Sequence, residues 1–309
     1  MKPKLIIHKQ AQLTGHKAAI YALAPGKMPS HFFSAAGDNW VVEWDLSSPE
    51  QGKLIAQVET GIFSLCHLPK YQKMVAGNRL GGIHWIDLQK PTATKNIAHH
   101  QAGVFALLPL GEQVLSAGGE GMLSLWSIEA QRCLESFHLT NQHLRGIAYS
   151  PQRKELAVAA SDHAIYFLDA TDLRLKHKIE KAHDNSVFCL RYTPDEKYLV
   201  SGGRDAQLKI WSVADTFTLS KSIPAHMYTV NALSFHPDGQ WLASGSRDKT
   251  IKIWDTANWE LRSVVDVVKN GGHINSVNDL YWSTHENTLI SASDDRSLML
   301  WNIEAANNC

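Results

Sequence analysis

Charge of one sign is what this sequence lacks most plainly: 30 lysines and arginines stand against 30 aspartates and glutamates in 309 residues. A neutral chain has no blanket attraction for phosphate backbones or anionic lipid, which excludes generic nucleic-acid binding and polybasic membrane attachment and leaves room only for a local patch. Cysteine is also scarce. Cys66, Cys133, Cys189 and Cys309 form no C-x-x-C pair, so neither a zinc knuckle nor a disulfide framework is indicated, and reduced thiols fit a cytoplasm. Long apolar runs are missing as well. Met1-Lys2-Pro3-Lys4 leads into three apolar residues before His8 and Lys9, too few for a signal peptide or a membrane span, and the expected location is cytoplasmic, with no membrane partner.

What is present is a repeat. Length alone allows two average domains or one large all-β domain, and ten tryptophans and sixteen histidines stand out in the composition. Short strand-like runs end at Trp44, Trp85, Trp126, Trp211, Trp254 and Trp301, and Leu168 takes the same place in a seventh. Successive anchors lie 41, 41, 42, 43, 43 and 47 residues apart. A period in the low forties with four short apolar runs is the signature of propeller blades. Upstream of four anchors a histidine is followed by a serine 18 residues on, an aspartate 4 later and the tryptophan 6 later. These are His16, Ser34, Asp38, Trp44; His183, Ser201, Asp205, Trp211; His226, Ser244, Asp248, Trp254; and His273, Ser291, Asp295, Trp301.

With Gly15-His16 and Gly272-His273 as glycine-histidine pairs, and Trp44-Asp45 and Trp254-Asp255 as tryptophan-aspartate pairs, the sequence resembles the WD-repeat family over essentially its whole length. The resemblance implies an all-β fold: a single seven-bladed β-propeller over residues 1–309, built of four-stranded antiparallel blades. It also implies a hydrogen-bonded tetrad in each blade, aspartate to histidine to serine to indole. Buried polar groups need such partners, and a closed network satisfies all four at once. The third blade keeps His100, Ser116 and Trp126 with Glu120 at the acidic position. The fourth has Thr140, Val158, Asp162 and Leu168, and the second has Asn78 and Trp85 without a matching histidine or serine, so both are expected to rest on apolar packing alone. Only eight residues follow Trp301, too few for another strand. A spare run at about residues 4–12 is therefore expected to complete blade seven and close a monomeric ring.

Beyond each histidine register a four-residue motif recurs, with branched aliphatics at its first and fourth positions. Its second position holds Tyr21, Phe63, Phe105, Arg145, Phe188, Asn231 and Asn278, which by alternation point away from the aliphatics. The resemblance places them at the mouth of the central channel, where partners dock, and aromatics and arginine are the types that anchor interfaces. The alternative is that the aromatics fill space between blades. The residue before each turn aspartate belongs to the same face by resemblance: Gly37, Gly77, Gly119, Ser161, Arg204, Arg247 and Asp294. Arg204 and Arg247 beside an aromatic arc suit a segment with an apolar anchor and an acidic or phosphorylated group. Ordinary ion pairs with Asp205 and Asp248 are the competing explanation. Between Trp254 and His273 the chain is four residues longer than in the two preceding repeats, around Asp266–Gly271, in a loop leading to the ligand face.

Catalysis finds little support. No nucleophile elbow, P-loop or H-E-x-x-H occurs, and His99-His100 lacks the spacing that brings two imidazoles to one metal. Ser, His and Asp recur blade after blade, whereas a catalytic triad occurs once. The expected function is a non-catalytic protein-interaction scaffold without cofactor or metal, binding a peptide segment or partner protein at the channel mouth. The alternatives are an enzyme using Asp279, Asp294, Arg145 and Arg204 in the channel, or a subunit of a nucleic-acid-associated complex.

Overall fold

The computed structural model describes residues 5–90, 92–214 and 216–305. They form seven four-stranded antiparallel sheets, each running from an innermost strand outward in chain order. The innermost strands are Ile20–Pro25, Ile62–Leu68, Val104–Leu110, Leu144–Ser150, Val187–Tyr192, Val230–Phe235 and Val277–Trp282, and each packs on its neighbours around one axis. In blade seven the fourth place is taken by Leu5–Leu13, which pairs antiparallel with Leu298–Ala305 from Leu5 opposite Ala305 to Leu13 opposite Leu298. The two ends of the described chain thus share one sheet, and the ring has no open seam. The expected strand at about 4–12 runs one residue further, to Leu13, and Lys4 and Cys309 lie outside the described residues.

Aliphatic residues at the start of each innermost strand explain the stacking. Ile20, Ile62, Val104, Leu144, Val187, Val230 and Val277 are each 1% exposed or less. The apolar clusters lie between adjacent blades: Ala232, Ile251 and Ile253 of blade six meet Val277, Leu289 and Trp301 of blade seven. Both faces of every sheet are therefore covered, and burying each large side chain stabilises by roughly 1.5–3 kcal/mol before entropy is charged against it.

Each turn between second and third strands contains one left-handed residue: Asn39, Gly81, Gly121, His163, Ala206, Lys249 and Arg296. Glycine is needed at Gly121, where a Cβ would meet the Thr140 carbonyl oxygen, and at Gly81, where it would meet that of His100. The inserted residues before blade seven fold as one helical turn, Val267–Asn270, rather than as an irregular loop. Among the described residues no helix is long and apolar enough to cross a membrane.

Blade two departs from the sequence expectation. Met74 pairs with Ile86, as Phe32 pairs with Trp44 in blade one and Val114 with Trp126 in blade three. Ile86, not Trp85, therefore holds the anchor position. One residue of offset turns a side chain to the opposite face of the sheet. Trp85 accordingly packs in the cluster shared with blade three, its ring centroid 6.4 Å from that of Trp126, while Ile86 packs against blade one.

Candidate functional site

The tetrads position the site. In blade six His226 Nδ1 lies 2.9 Å from the Asp248 carboxylate, its Nε2 2.8 Å from Ser244 Oγ, and the Trp254 indole N–H donates to Ser244 Oγ at 2.8 Å. A carboxylate only accepts, so Nδ1 carries the proton and Nε2 accepts the serine O–H. The same bonds join His16, Ser34, Asp38 and Trp44; His183, Ser201, Asp205 and Trp211; and His273, Ser291, Asp295 and Trp301. Blade three closes with His100, Ser116, Glu120 and Trp126. Burial works to raise the Asp248 carboxyl, but the bond and charge of His226, with the Thr250 hydroxyl and Met227 amide, outweigh it and hold it well below the usual range. In the four aspartate tetrads the residue after the histidine also donates its backbone N–H to the aspartate, as Lys17 does to Asp38 and Met227 to Asp248; in blade three Ala102 does so to Glu120. Each tetrad thus ties the loop entering a blade to the turn between its second and third strands, two of the loops that frame the channel mouth.

Blades two and four do not rest on apolar packing alone. Asn78 donates to His84 Nε2 at 2.8 Å and accepts the amides of Leu80 and Gly82, and the Tyr166 hydroxyl donates to Asp162. Each replaces the missing tetrad by a shorter pair within its own hairpin. Trp85 gains nothing from this: among the described residues its indole nitrogen is the one buried side-chain polar atom without a partner.

The mouth is built from a repeated irregularity. In all seven blades the ladder between the first two strands skips one residue: Ile20 faces Ala36 and Ala22 faces Ala35, leaving Tyr21 as the extra residue of a β-bulge. Phe63, Phe105, Arg145, Phe188, Asn231 and Asn278 hold the same place. A bulge re-aims its side chain. All seven are half-buried and line one cavity of about 510 Å³, which opens above a narrower passage along the axis. The aromatics therefore stand at the mouth rather than between blades.

These side chains touch in sequence. Tyr21 meets Phe63 edge-on at 5.1 Å, Phe63 stacks on Phe105 at 5.6 Å, and the Arg145 guanidinium lies 4.3 Å from the Phe105 centroid and 4.8 Å from that of Phe188. Ser161 Oγ accepts from Arg145 Nε at 3.1 Å and fixes the guanidinium plane. Burial, with the Arg204 charge adding to it, lowers Arg145 to about 10. On the other arc Asn231 donates to the Val277 carbonyl, and Asn278 to the Ile20 carbonyl and to Asp294. Arg204 and Arg247 stand exposed above, and among the described residues neither they nor Arg145 pairs with a carboxylate, because Asp205 and Asp248 turn inward to their histidines.

The rim position in blade two is Arg79, not Gly77. Its amide donates to Gly61, the bond that Gly37 makes to Ala19 and Arg204 to Ser186. Gly77 sits inside the blade, where a Cβ would collide with Ser64 and Val104. Arg79 is exposed and near Tyr21: burial and Asp294 raise the Tyr21 hydroxyl, and the Arg79 charge opposes them. The signal in the sequence was the interval from Asn78 to Trp85, seven residues where the tetrad blades have six.

Below the mouth Asp279 faces the axis. Its two carboxylate oxygens accept the backbone amides of Leu23 and Leu280, each at 2.8 Å. Enclosure by protein pushes the carboxyl from 3.8 up to about 6, against the pull of those amides and of Arg191. Among the described residues no three histidines, cysteines or acids converge as a metal site.

The WD domain, G-beta repeat family matches residues 8–45, 174–212, 217–255 and 265–302, which cover the blades with complete aspartate tetrads. No curated protein matches the chain. Among solved structures, the WD40 β-propeller domain of Doa1 superposes with a TM-score of 0.83 at 17% identity, covering 96% of each chain. At that identity the likeness speaks to fold alone.

Proposed function

Starting from the fact that the chain is a WD-repeat β-propeller, a fold that typically serves as a protein-interaction scaffold, we propose that it is a non-catalytic scaffold, one domain over 1–309, that takes a peptide segment or partner protein at its channel mouth. The observation that carries this reading is the group of three guanidiniums, Arg145, Arg204 and Arg247, on consecutive blades, without an acidic partner among the described residues, beside Tyr21, Phe63, Phe105 and Phe188. A planar guanidinium held between two rings offers its remaining N–H donors as a fork for a carboxylate or phosphate. The aromatic arc supplies the desolvated anchor that concentrates binding energy. The partner group is therefore acidic, a carboxylate or a phosphate.

Two features support the non-catalytic half. Ser34, Ser116, Ser201, Ser244 and Ser291 are fully buried, out of reach of a substrate carbonyl. Asp279 already spends both oxygens on backbone amides. The cytoplasm is the proposed setting, in keeping with free thiols at Cys66, Cys133 and Cys189. The test compares quantitative partner capture by the wild type, by Arg204→Glu with Arg247→Glu, and by Phe105→Ala with Phe188→Ala. Loss in both variants is expected, and undiminished capture by either removes the reading.

A further inference from the structure

The four residues inserted before blade seven are built rather than loose. Asp266 caps the turn by accepting the Lys269 amide at 2.8 Å, Gly271 closes it in the left-handed region at φ 64°, and Lys9 of the ring-closing strand donates to the Gly271 carbonyl at 2.8 Å. This well-tied turn holds Val267 46% and Val268 89% exposed. Ile274 follows at 63%, and Met227 and Tyr228, in the loop entering blade six, are 81% and 60% exposed. Five large apolar side chains on the entry loops of two adjacent blades form a concentration that folding does not explain, and such patches mark interaction sites.

The patch is continuous with the mouth. Thr229, next to Tyr228, and Ser276, two residues after Ile274, both line the mouth cavity. The Arg247 amide donates to the Thr229 carbonyl, so the cation and the Met227–Tyr228 loop are held together. On the outer side, Val267, Ile274 and Met299, together with the polar Gln12 and Asp295, wall a second hollow of about 260 Å³. A basic group without an acidic partner therefore adjoins an apolar ridge that ends in a hollow.

We infer that blades six and seven carry a second contact for the same partner: an apolar docking ridge that takes a bulky aliphatic or aromatic residue in the hollow between Val267 and Ile274, from a segment whose acidic residue sits over Arg204 and Arg247. The occupant is thus a short peptide segment with an acidic residue and, a few residues away, a large apolar one. The acidic half rests on the proposed function; the apolar half rests on the ridge alone.

The experiment displays a random twelve-residue peptide library on the purified chain and measures selected peptides by fluorescence anisotropy. Three proteins are compared: wild type, Val267→Ser with Ile274→Ser, and Arg204→Glu with Arg247→Glu. Wild type is expected to enrich peptides pairing Asp or Glu with Leu, Ile, Phe or Trp, and the serine variant to bind them about tenfold or more weakly, as loss of a buried anchor does, while keeping the acidic preference. Because both replaced residues face solvent, unchanged thermal unfolding of the serine variant is expected and separates lost contact from lost fold. Equal binding by the serine variant overturns the ridge, as does a wild-type selection without apolar preference or without enrichment. Loss of apolar preference in the serine variant together with equal binding by the glutamate variant keeps the ridge and overturns the acidic mouth.

Discussion

Asp279 of blade seven accepts the backbone N–H of Leu23 in blade one at 2.8 Å, a bond across the junction between the first and last blades. The part-buried carboxyl there, raised to about 6 by the surrounding protein, binds its proton more tightly in the folded chain than in the unfolded one. Its contribution to stability is therefore full below about pH 4 and is lost as pH rises through about 6. Asp279→Asn should flatten that slope, by on the order of 3 kcal/mol between the two limits. Urea unfolding of both proteins from pH 4 to pH 7 checks it; parallel curves would contradict the assignment. The tetrad aspartates Asp205, Asp248 and Asp295 are held low and act in the opposite direction at lower pH, so the comparison is between variant and wild type.

Ser244 bonds both His226 and Trp254, so Ser244→Ala strands two buried polar groups. The expected loss is roughly 2 to 4 kcal/mol, more than an isolated hydrogen bond would give. Chemical denaturation measures it, and a loss below about 1 kcal/mol would show that the network relaxes around the gap.

Trp85 and Trp126 are neighbours with opposite bookkeeping. Trp126→Phe leaves Ser116 without its donor, whereas Trp85→Phe removes an indole N–H that has no partner. Although both rings are fully buried, the Trp85 substitution should cost less, by about 1–3 kcal/mol. Thermal unfolding of the two variants side by side decides; equal losses would mean that Trp85 is held by something other than packing.

Deleting the first twelve residues removes most of the Leu5–Leu13 strand and leaves Leu298–Ala305 as an open edge. Lower thermal stability and self-association are expected, since an unpaired edge templates pairing with another chain. Unchanged melting and light scattering would show that the ring closes without it.

The ring was legible because four blades repeat His, Ser, Asp and Trp at identical offsets, and the network also closes in blade three, where the histidine-to-serine interval is 16 residues rather than 18. Blade two was misread because a tryptophan stood one residue away from the anchor in a strand buried on both faces, where alternation gives no contrast between inside and outside. Reading Asn78 as the turn residue hid Arg79 too, which lies two residues beyond Gly77. Asn78–His84 and Asp162–Tyr166 were invisible because each is a private solution within one hairpin, with no second copy to align against. The sandwich of Arg145 between Phe105 and Phe188 could not be read from the chain, because it joins three blades at positions about forty residues apart.

The bulge at each innermost strand has a consequence for how such a molecule can change. Because Tyr21 and its six counterparts are the residues that the ladder skips, none has a register partner in the second strand of its blade. Tyrosine, phenylalanine, arginine and asparagine all occupy the place without altering the register beneath them. One backbone frame therefore carries four kinds of side chain, while the side chains themselves are coupled, Arg145 to Phe105, Phe188 and Ser161, and Asn278 to Ile20 and Asp294, so a change at one mouth position is felt by its neighbours in the arc but not by the ladder.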